Sequence, residues 1–147
     1  MTTYSFIDVT ASIVGPGLAC SLGNDAGTSE EGISIELEGN KNTRTMGADG
    51  SYMNSLHAAN GGTITVRLLK NSPNIAILMA AYNAQRISSA LWGKNVITVV
   101  QENATDTSIA TGCAFQRAPN LEYAVDGGIV TWVFDGGKIT EFLGTYS

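Results

Sequence analysis

The segment Ile33–Glu38 carries two carboxylates, Glu36 and Glu38, two residues apart. Because side chains alternate along a strand, both are expected on the same face as Ser34. Two carboxylates act as acid and base in hydrolysis when their environments separate their pKa values. A polar strand face shared with a serine favours an exposed or channel-lining acidic strip instead. A hydrolase built on Glu36 and Glu38 remains as an alternative.

A second possible catalytic pair combines Cys113 with His57, the single histidine of the chain. An imidazole can activate a thiol as a nucleophile, but the apolar neighbours of Cys113 are typical of an inert thiol. The other cysteine, Cys20, lies far away in the sequence, so neither a C-x-x-C motif nor a zinc site is present. We expect free thiols, no metal, no cofactor and no enzymatic activity.

Glycine-containing motifs predict turns rather than ligand sites. Gly15-Pro16-Gly17 lacks the third glycine and the following helix of a dinucleotide fingerprint. Asp49-Gly50 is more typical of a turn than of a metal ligand. Eight Lys and Arg stand against thirteen Asp and Glu, no two basic residues are adjacent, and the net charge is −5. This balance argues against a surface that grips nucleic acid.

The composition indicates a single domain, 1–147, with an unusually uncharged surface. Charged residues make up 14% of the chain, against about 25% in ordinary soluble domains. We infer that partners cover much of the exterior. The N-terminus does not resemble a signal peptide, and the longest apolar run, Ile75–Tyr82, is too short to span a bilayer. We expect synthesis in the cytoplasm and no membrane insertion.

Alternating apolar residues predict a mainly β fold. Asp126-Gly127-Gly128 and Asp135-Gly136-Gly137 predict tight hairpins in an antiparallel C-terminal meander. Asn95–Gln101 is rich in β-branched residues and is expected to be buried on both faces. The predicted strands are Tyr4–Thr10, Ile33–Glu38, Thr63–Lys70, Asn95–Gln101, Ser108–Gln116, Gly128–Phe134 and Ile139–Leu143.

Two segments depart from the strand pattern. Ser72 as N-cap and Pro73 in the first turn predict a helix over about 73–89. One helix face is expected to pack on the sheet, and the face with Ala80, Ala81 and Ala84 under a neighbouring subunit; burial in one large core is the alternative. The polar stretch of about 39–62 is long enough to be functional, as an extended hairpin or a segment that orders on a partner. Its predicted apolar anchors are Met46, Tyr52 and Met53.

The segment Gly61–Leu78 (GGTITVRLLKNSPNIAIL) resembles a signature of tail tube subunits from contractile-tailed bacteriophages. In that signature an alternating strand ends in Leu-Lys-x-Ser-Pro and runs into a helix. Arg44–Gly50 is similar to the polar loop motif of the same family. The strand before these motifs and the hairpins after them match in order, so the resemblance covers most of the chain.

The resemblance implies an antiparallel β-sandwich or partly closed barrel with one flanking helix and no catalytic activity. It also implies a structural virion protein whose hexameric rings stack into a tube wrapped by a contractile sheath. DNA passes through the bore without specific binding during genome ejection. Implied partners are other copies of the chain, the sheath, baseplate and tail terminator proteins, and a tape measure protein in the lumen.

In such a tube, Glu36 and Glu38 are expected to face the lumen, where negative charge repels DNA phosphates. Ordinary solvent-exposed carboxylates are the alternative for these two residues. Met46, Tyr52 and Met53 are expected to anchor the hairpin on the adjacent ring. A ring protein of a type VI secretion-like system and a small cytoplasmic ligand-binding β domain remain as alternative functions.

Overall fold

A computed structural model describes residues 3–23 and 28–146 of the chain. Antiparallel strands dominate this part, together with one 3-10 helix, Phe6–Asp8, and one α-helix, α1, at Pro73–Gln85. The strands are β1 (Val9–Gly15), β2 (Leu18–Ser21), β3 (Thr28–Leu37), β4 (Asn42–Met46), β5 (Tyr52–Leu56), β6 (Gly62–Leu69), β7 (Asn95–Gln101), β8 (Asp106–Arg117), β9 (Ile129–Gly136) and β10 (Lys138–Phe142). The predicted fold class, mainly β with one helix, is confirmed.

The first strand begins later than the sequence predicts. A strand was expected over Tyr4–Thr10, but the Ser5 hydroxyl accepts a hydrogen bond from the Ile7 backbone N at 3.2 Å and caps the 3-10 turn. Serine competes in this way with regular strand pairing. The predicted turn at Gly15-Pro16-Gly17 is confirmed, because it joins β1 to its antiparallel partner β2.

One continuous ladder runs in the order β2-β1-β7-β8-β9-β6-β3. The first half of β8 pairs with β7 and the second half pairs with β9. Gly112 lies between the two halves with φ +63°, a left-handed conformation that glycine adopts without steric cost. We call the layer of β2, β1, β7, the first half of β8 and β10 sheet A. The layer of β3, β6, β9 and the second half of β8 is sheet B.

The last strand does not form the predicted hairpin with β9. β10 pairs with β8 instead, with Ile139 opposite Ala110. The reason is that β9 is already paired along both edges, by β6 and by β8, so no edge is left for β10. The chain passes from sheet B to sheet A at Gly137, whose N–H donates to the Thr111 carbonyl at 3.1 Å.

The motif Asp126-Gly127-Gly128 does not close a tight hairpin either. Residues 118–128 form a longer connection between β8 and β9. The antiparallel pairing of these two strands is nevertheless as predicted. Asp-Gly permits a turn, but the motif does not specify which strands the turn will join.

The hydrophobic core lies between the two sheets. The predicted alternation of β6 is confirmed: Ile64, Val66 and Leu68 are buried, and the residues between them face away. The prediction that β7 is buried on both faces is wrong, because Ile97 is 1% exposed but its neighbour Val96 is 36% exposed. The largest fully buried hydrophobic side chains are Trp132, Phe115, Phe134, Ile13, Leu22, Ile64, Leu68, Leu78 and Ile97.

Helix α1 begins as predicted and ends four residues earlier. The Ser72 hydroxyl accepts from the Asn74 backbone N at 3.4 Å, and a proline stands in the first turn. Leu78, Ala81 and Gln85 face the core, since positions three and four apart share one side of a helix. The prediction that Ala81 lies on a subunit-facing stripe is therefore wrong, because Ala81 packs inside its own subunit.

Candidate assembly surfaces

The polar stretch forms an extended hairpin, β4–β5, which is a separate two-stranded sheet. Met46 pairs with Tyr52 at its tip. The Asp49 carboxylate accepts hydrogen bonds from the Ser51 hydroxyl at 2.6 Å and the Ser51 backbone N at 3.1 Å. Both hydrogen bonds stabilise the ionised carboxylate and lower the pKa of Asp49, and the bond from the hydroxyl has the larger effect. The predicted turn at Asp49-Gly50 is thus confirmed.

The predicted hairpin anchors are exposed, but they do not share one face. Met46 and Tyr52 are 61% and 66% exposed and project from the same side, since they are direct cross-strand partners. Met53 lies one residue along the strand and projects from the opposite side. Leu56, on the Met46 side, is more exposed than any of them. Leu56 stands four residues after Tyr52, and this even spacing places both on one side of a strand, so sequence reasoning could have added Leu56.

A lysine closes the base of the hairpin by joining the segments before and after its two strands. The Lys41 ammonium donates to the backbone carbonyls of His57 and Ala59 and to the Asn60 side-chain oxygen. His57 in turn pairs through Nε2 with the Thr43 hydroxyl at 2.7 Å. The base of the hairpin is therefore held by polar hydrogen bonds, whereas its strands are largely exposed to solvent.

The two predicted carboxylates lie on the polar side of sheet B. Glu36 pairs in register with Thr63, and Glu38 follows the end of β3, where its backbone N donates to the Gly61 carbonyl at 3.0 Å. Both side chains are exposed. The Arg67 guanidinium on the same side donates to the Ser34 hydroxyl at 3.1 Å. Sheet B therefore presents a hydrophilic face opposite its buried one.

Sheet B also has two open edges. β3 pairs only with β6, and the second half of β8 pairs only with β9, among the residues that the structure describes. Unpaired backbone N–H and C=O groups along such edges are templates for pairing with another chain. A subunit with an open edge on each side of one sheet can add copies in both directions.

A family model described as "Bacteriophage PhiTE tail tube protein" matches residues 1–144 of the sequence. The chain belongs to this tail tube family. The comparison with curated proteins gives no match.

Solved structures show that the tail tube protein shares the fold of contractile injection system components. A chain of the sheath/tube terminator of an extracellular contractile injection system matches with TM-score 0.65 and 13% identity, covering 97% of this chain and 98% of the other. A chain of the sheath-tube complex of that system matches with TM-score 0.63, 12% identity and coverage of 96% and 92%. A chain of the anti-feeding prophage baseplate matches with TM-score 0.54, 12% identity and coverage of 97% and 95%.

The tail tube protein does not assemble the catalytic pair considered above. Cys113 is fully buried, and its thiol donates to the Ala110 carbonyl at 3.4 Å. Burial raises the pKa of Cys113 to about 11, so the thiol is protonated at neutral pH. His57 lies on the exposed hairpin base, bonded to Thr43. A sealed thiol and a surface imidazole with another partner cannot act together as nucleophile and base.

The described part of the chain contains neither a cluster of metal-ligating side chains nor a membrane-spanning helix. No group of three or more His, Cys, Asp or Glu side chains is arranged to hold a metal ion there. None of its helices is both long and apolar enough to cross a membrane. Cys20 and Cys113 are free cysteines, as predicted.

The outer side of α1 in the tail tube protein is apolar and exposed. Ala80 and Ala84 lie on this side together with Ile77, which is 41% exposed. The opposite side packs on β2 and the core. The predicted inter-subunit role therefore stays a prediction for Ala80 and Ala84 and no longer includes Ala81.

Proposed function

We propose that this tail tube protein assembles into hexameric rings that stack into a hollow tube in the virion tail. The observation that carries the proposal is the pair of open edges on sheet B, β3 and the second half of β8. Pairing β3 of one copy with β8 of the next extends the four strands of sheet B around a ring. A closed ring of this kind leaves neither edge of sheet B exposed.

In the ring, the polar face of sheet B lines the bore. Its buried face already packs on the core, so the hydrophilic face is the one left for the lumen. The three carboxylates of Glu36, Glu38 and Asp135 outnumber the two cations of Arg67 and Arg117 on this side. Six copies at −5 each give a total ring charge of about −30, and the excess of carboxylates on the bore face repels DNA phosphates and lets DNA slide during genome ejection.

The partners we propose are those of a contractile tail. The solved relatives come from a sheath-tube complex, a sheath/tube terminator and a baseplate. The corresponding partners of this chain are a sheath protein outside the tube, a terminator and a baseplate at its ends, and a tape measure protein in the lumen before DNA enters. The sparse charge of the chain fits an exterior that these contacts cover.

Electron microscopy of the purified full-length chain tests this function. We expect negative-stain images of concentrated protein to show hollow tubes of uniform width or six-fold rings. Sedimentation velocity over the same concentration range measures the fraction assembled. A chain that remains monomeric at every concentration, also when a baseplate or terminator protein is added as a nucleus, contradicts the proposal.

A further inference from the structure

A pocket of about 220 Å³ opens at one end of the sandwich, between the inner side of sheet A and β3. Val9, Val99 and Ser108 line its walls. Tyr4 and Tyr146, from the two ends of the described chain, lie at the same pocket and pack edge to face with ring centroids 6.3 Å apart. The pocket is therefore largely apolar, with aromatic side chains beside it.

One polar group of this pocket lacks a partner. Gln101 lines the pocket and is 6% exposed. Its Oε1 accepts from the Ala104 backbone N at 2.9 Å, but its Nε2 has no hydrogen-bond partner in the described structure. Buried donors in native proteins are almost always paired. An acceptor oxygen brought in through the pocket would satisfy this amide once the side chains over it move, because the Nε2 atom itself is covered in the free subunit.

The β4–β5 hairpin has the complementary properties. Its strands are exposed and carry Met46, Tyr52 and Leu56 on one side. An isolated two-stranded hairpin is only marginally stable in water, and its outer edges carry carbonyls without a strand partner. It therefore offers both an apolar side chain for the pocket and acceptor oxygens for Gln101.

The hairpin and the pocket offer one pair of opposite charges, and the second charged group of the hairpin, the Asp49 carboxylate at the turn, is held by Ser51. Arg44 is the single charged residue of β4 and β5, and its guanidinium lies over the Tyr52 ring at 5.4 Å, on the Met46 side. Asp106 lines the pocket, where one carboxylate oxygen accepts from the Gly144 backbone N at 2.7 Å. A cation on the hairpin thus has a carboxylate to meet at the pocket.

The hairpin base and the pocket lie at opposite ends of the β8–β10 pair. The base is held at Asn60, whose carbonyl accepts from the Ile139 N at 2.9 Å, near the start of β10. Asp106 and Leu143, at the other end of the pair, line the pocket. A projection at one end and a recess at the other are what an open, head-to-tail stack requires.

We propose that the pocket receives the β4–β5 hairpin tip of a second copy of this chain, in the adjacent ring. Met46 fills the apolar space, a hairpin carbonyl accepts from Gln101 Nε2, and Arg44 pairs with Asp106. This contact rests on the proposed tube, and it assigns the receiving site of the hairpin to one pocket of the neighbouring subunit.

Cysteine cross-linking tests the contact. Met46→Cys and Ser108→Cys are combined in a Cys20→Ser background, since Cys113 is sealed in the core. The matched control carries Met53→Cys with Ser108→Cys, because Met53 projects from the other side of the hairpin. The assembled protein is treated with a short bis-maleimide and separated on a denaturing gel, and thermal melting of each variant checks its fold.

We expect a ladder of cross-linked products that continues beyond six chains for the Met46 variant, and at least tenfold less product for the Met53 control. Tubes that form without the Met46 ladder, or with equal cross-linking of both variants, overturn the pocket contact and leave the proposed function standing. A ladder that stops at six chains places the contact within one ring and also overturns it. A parent protein that forms neither rings nor tubes, also with a baseplate or terminator protein added as a nucleus, overturns the proposed function itself.

Discussion

Gln85 of α1 and Asn95 of β7 exchange two hydrogen bonds through their side-chain amides. The Gln85 Nε2 donates to Asn95 Oδ1 at 2.9 Å, and the Asn95 Nδ2 donates back to Gln85 Oε1 at 3.0 Å. Both residues are buried, and Gln85 also donates to the Pro16 carbonyl at 3.3 Å. This amide pair ties the helix to sheet A and to the β1–β2 turn by directional bonds within an otherwise apolar core.

We expect substitutions at Gln85 and Asn95 to have strongly non-additive effects on the free energy of unfolding. Gln85→Ala or Asn95→Ala leaves the other amide buried without its partner, which costs about 1–3 kcal/mol for the unpaired group in addition to lost packing. The double variant is expected to lose less than the sum of the single variants. A double-mutant cycle from urea denaturation measures this coupling, with exposed Asn83→Ala as a control within about 0.5 kcal/mol of wild type. Additive losses contradict the prediction.

Substitutions at two adjacent alanines of α1 distinguish an effect on folding from an effect on assembly. Ala81→Glu places a carboxylate in the core of the subunit and is expected to cost more than about 3 kcal/mol or to prevent folding. Ala80→Glu changes an exposed position, so the free energy of unfolding stays within about 0.5 kcal/mol of wild type. If a neighbouring subunit covers this side, Ala80→Glu still lowers the fraction of protein in tubes. Tubes of normal yield and length exclude Ala80 from the interface.

Reversing the charge of the predicted lumen carboxylates should make the tube retain DNA. Glu36→Lys with Glu38→Lys changes exposed residues, so folding and tube formation are expected to persist. Tubes of the variant bind short DNA at low salt, and the binding weakens as salt rises. Co-sedimentation of labelled DNA with the tubes measures the effect.

Glu102→Lys is the control, because Glu102 lies in the turn between β7 and β8, away from sheet B, where its carboxylate accepts from the Thr10 hydroxyl at 3.1 Å. Equal retention of DNA by the control and by the double variant would show that Glu36 and Glu38 have no special position in the bore.

The buried Cys113 thiol should make stability fall in alkali. Burial raises its pKa from 9.0 to about 11, so between these pH values the unfolded chain loses the proton and the folded chain keeps it. The free energy of unfolding therefore decreases as pH rises through this window, by at most about 1.4 kcal/mol per pH unit for one thiol. Urea denaturation of wild type and Cys113→Ala between pH 8 and about 11 measures the difference in slope. Equal slopes contradict the prediction.

Local patterns predicted most strands and the helix, because an element with one buried face carries apolar residues at a regular spacing in the sequence. The alternation of β6 and the Ser72-Pro73 start of α1 are examples in which local and tertiary preferences agree. The position of β10 was not predictable in this way. Its partner follows from the prior pairing of both β9 edges, which is a property of the whole sheet.

Among the candidate assembly residues, sequence reasoning identified which side chains are apolar but not always which way they face. Ala81 lies on the same side of the helix as Leu78 and Gln85. A glutamine suggests an exposed position in the sequence, but Gln85 is buried because its amide is paired with Asn95. Met53 directly follows Tyr52, so alternation along a strand already separates these two side chains, whereas the pairing of Met46 with Tyr52 depends on the length of the turn. The Gln101 pocket is lined by residues from distant segments of the chain, so no local sequence motif predicts it.

The bend of β8 at Gly112 has a mechanical consequence. Since one strand belongs to both sheets, an unbroken series of backbone hydrogen bonds and peptide bonds connects edge strand β2 to edge strand β3. Tension between these edges is carried by directional bonds at every step, whereas two sheets joined only by side-chain packing can slide. A subunit of this kind resists shear as a single piece when its surroundings move.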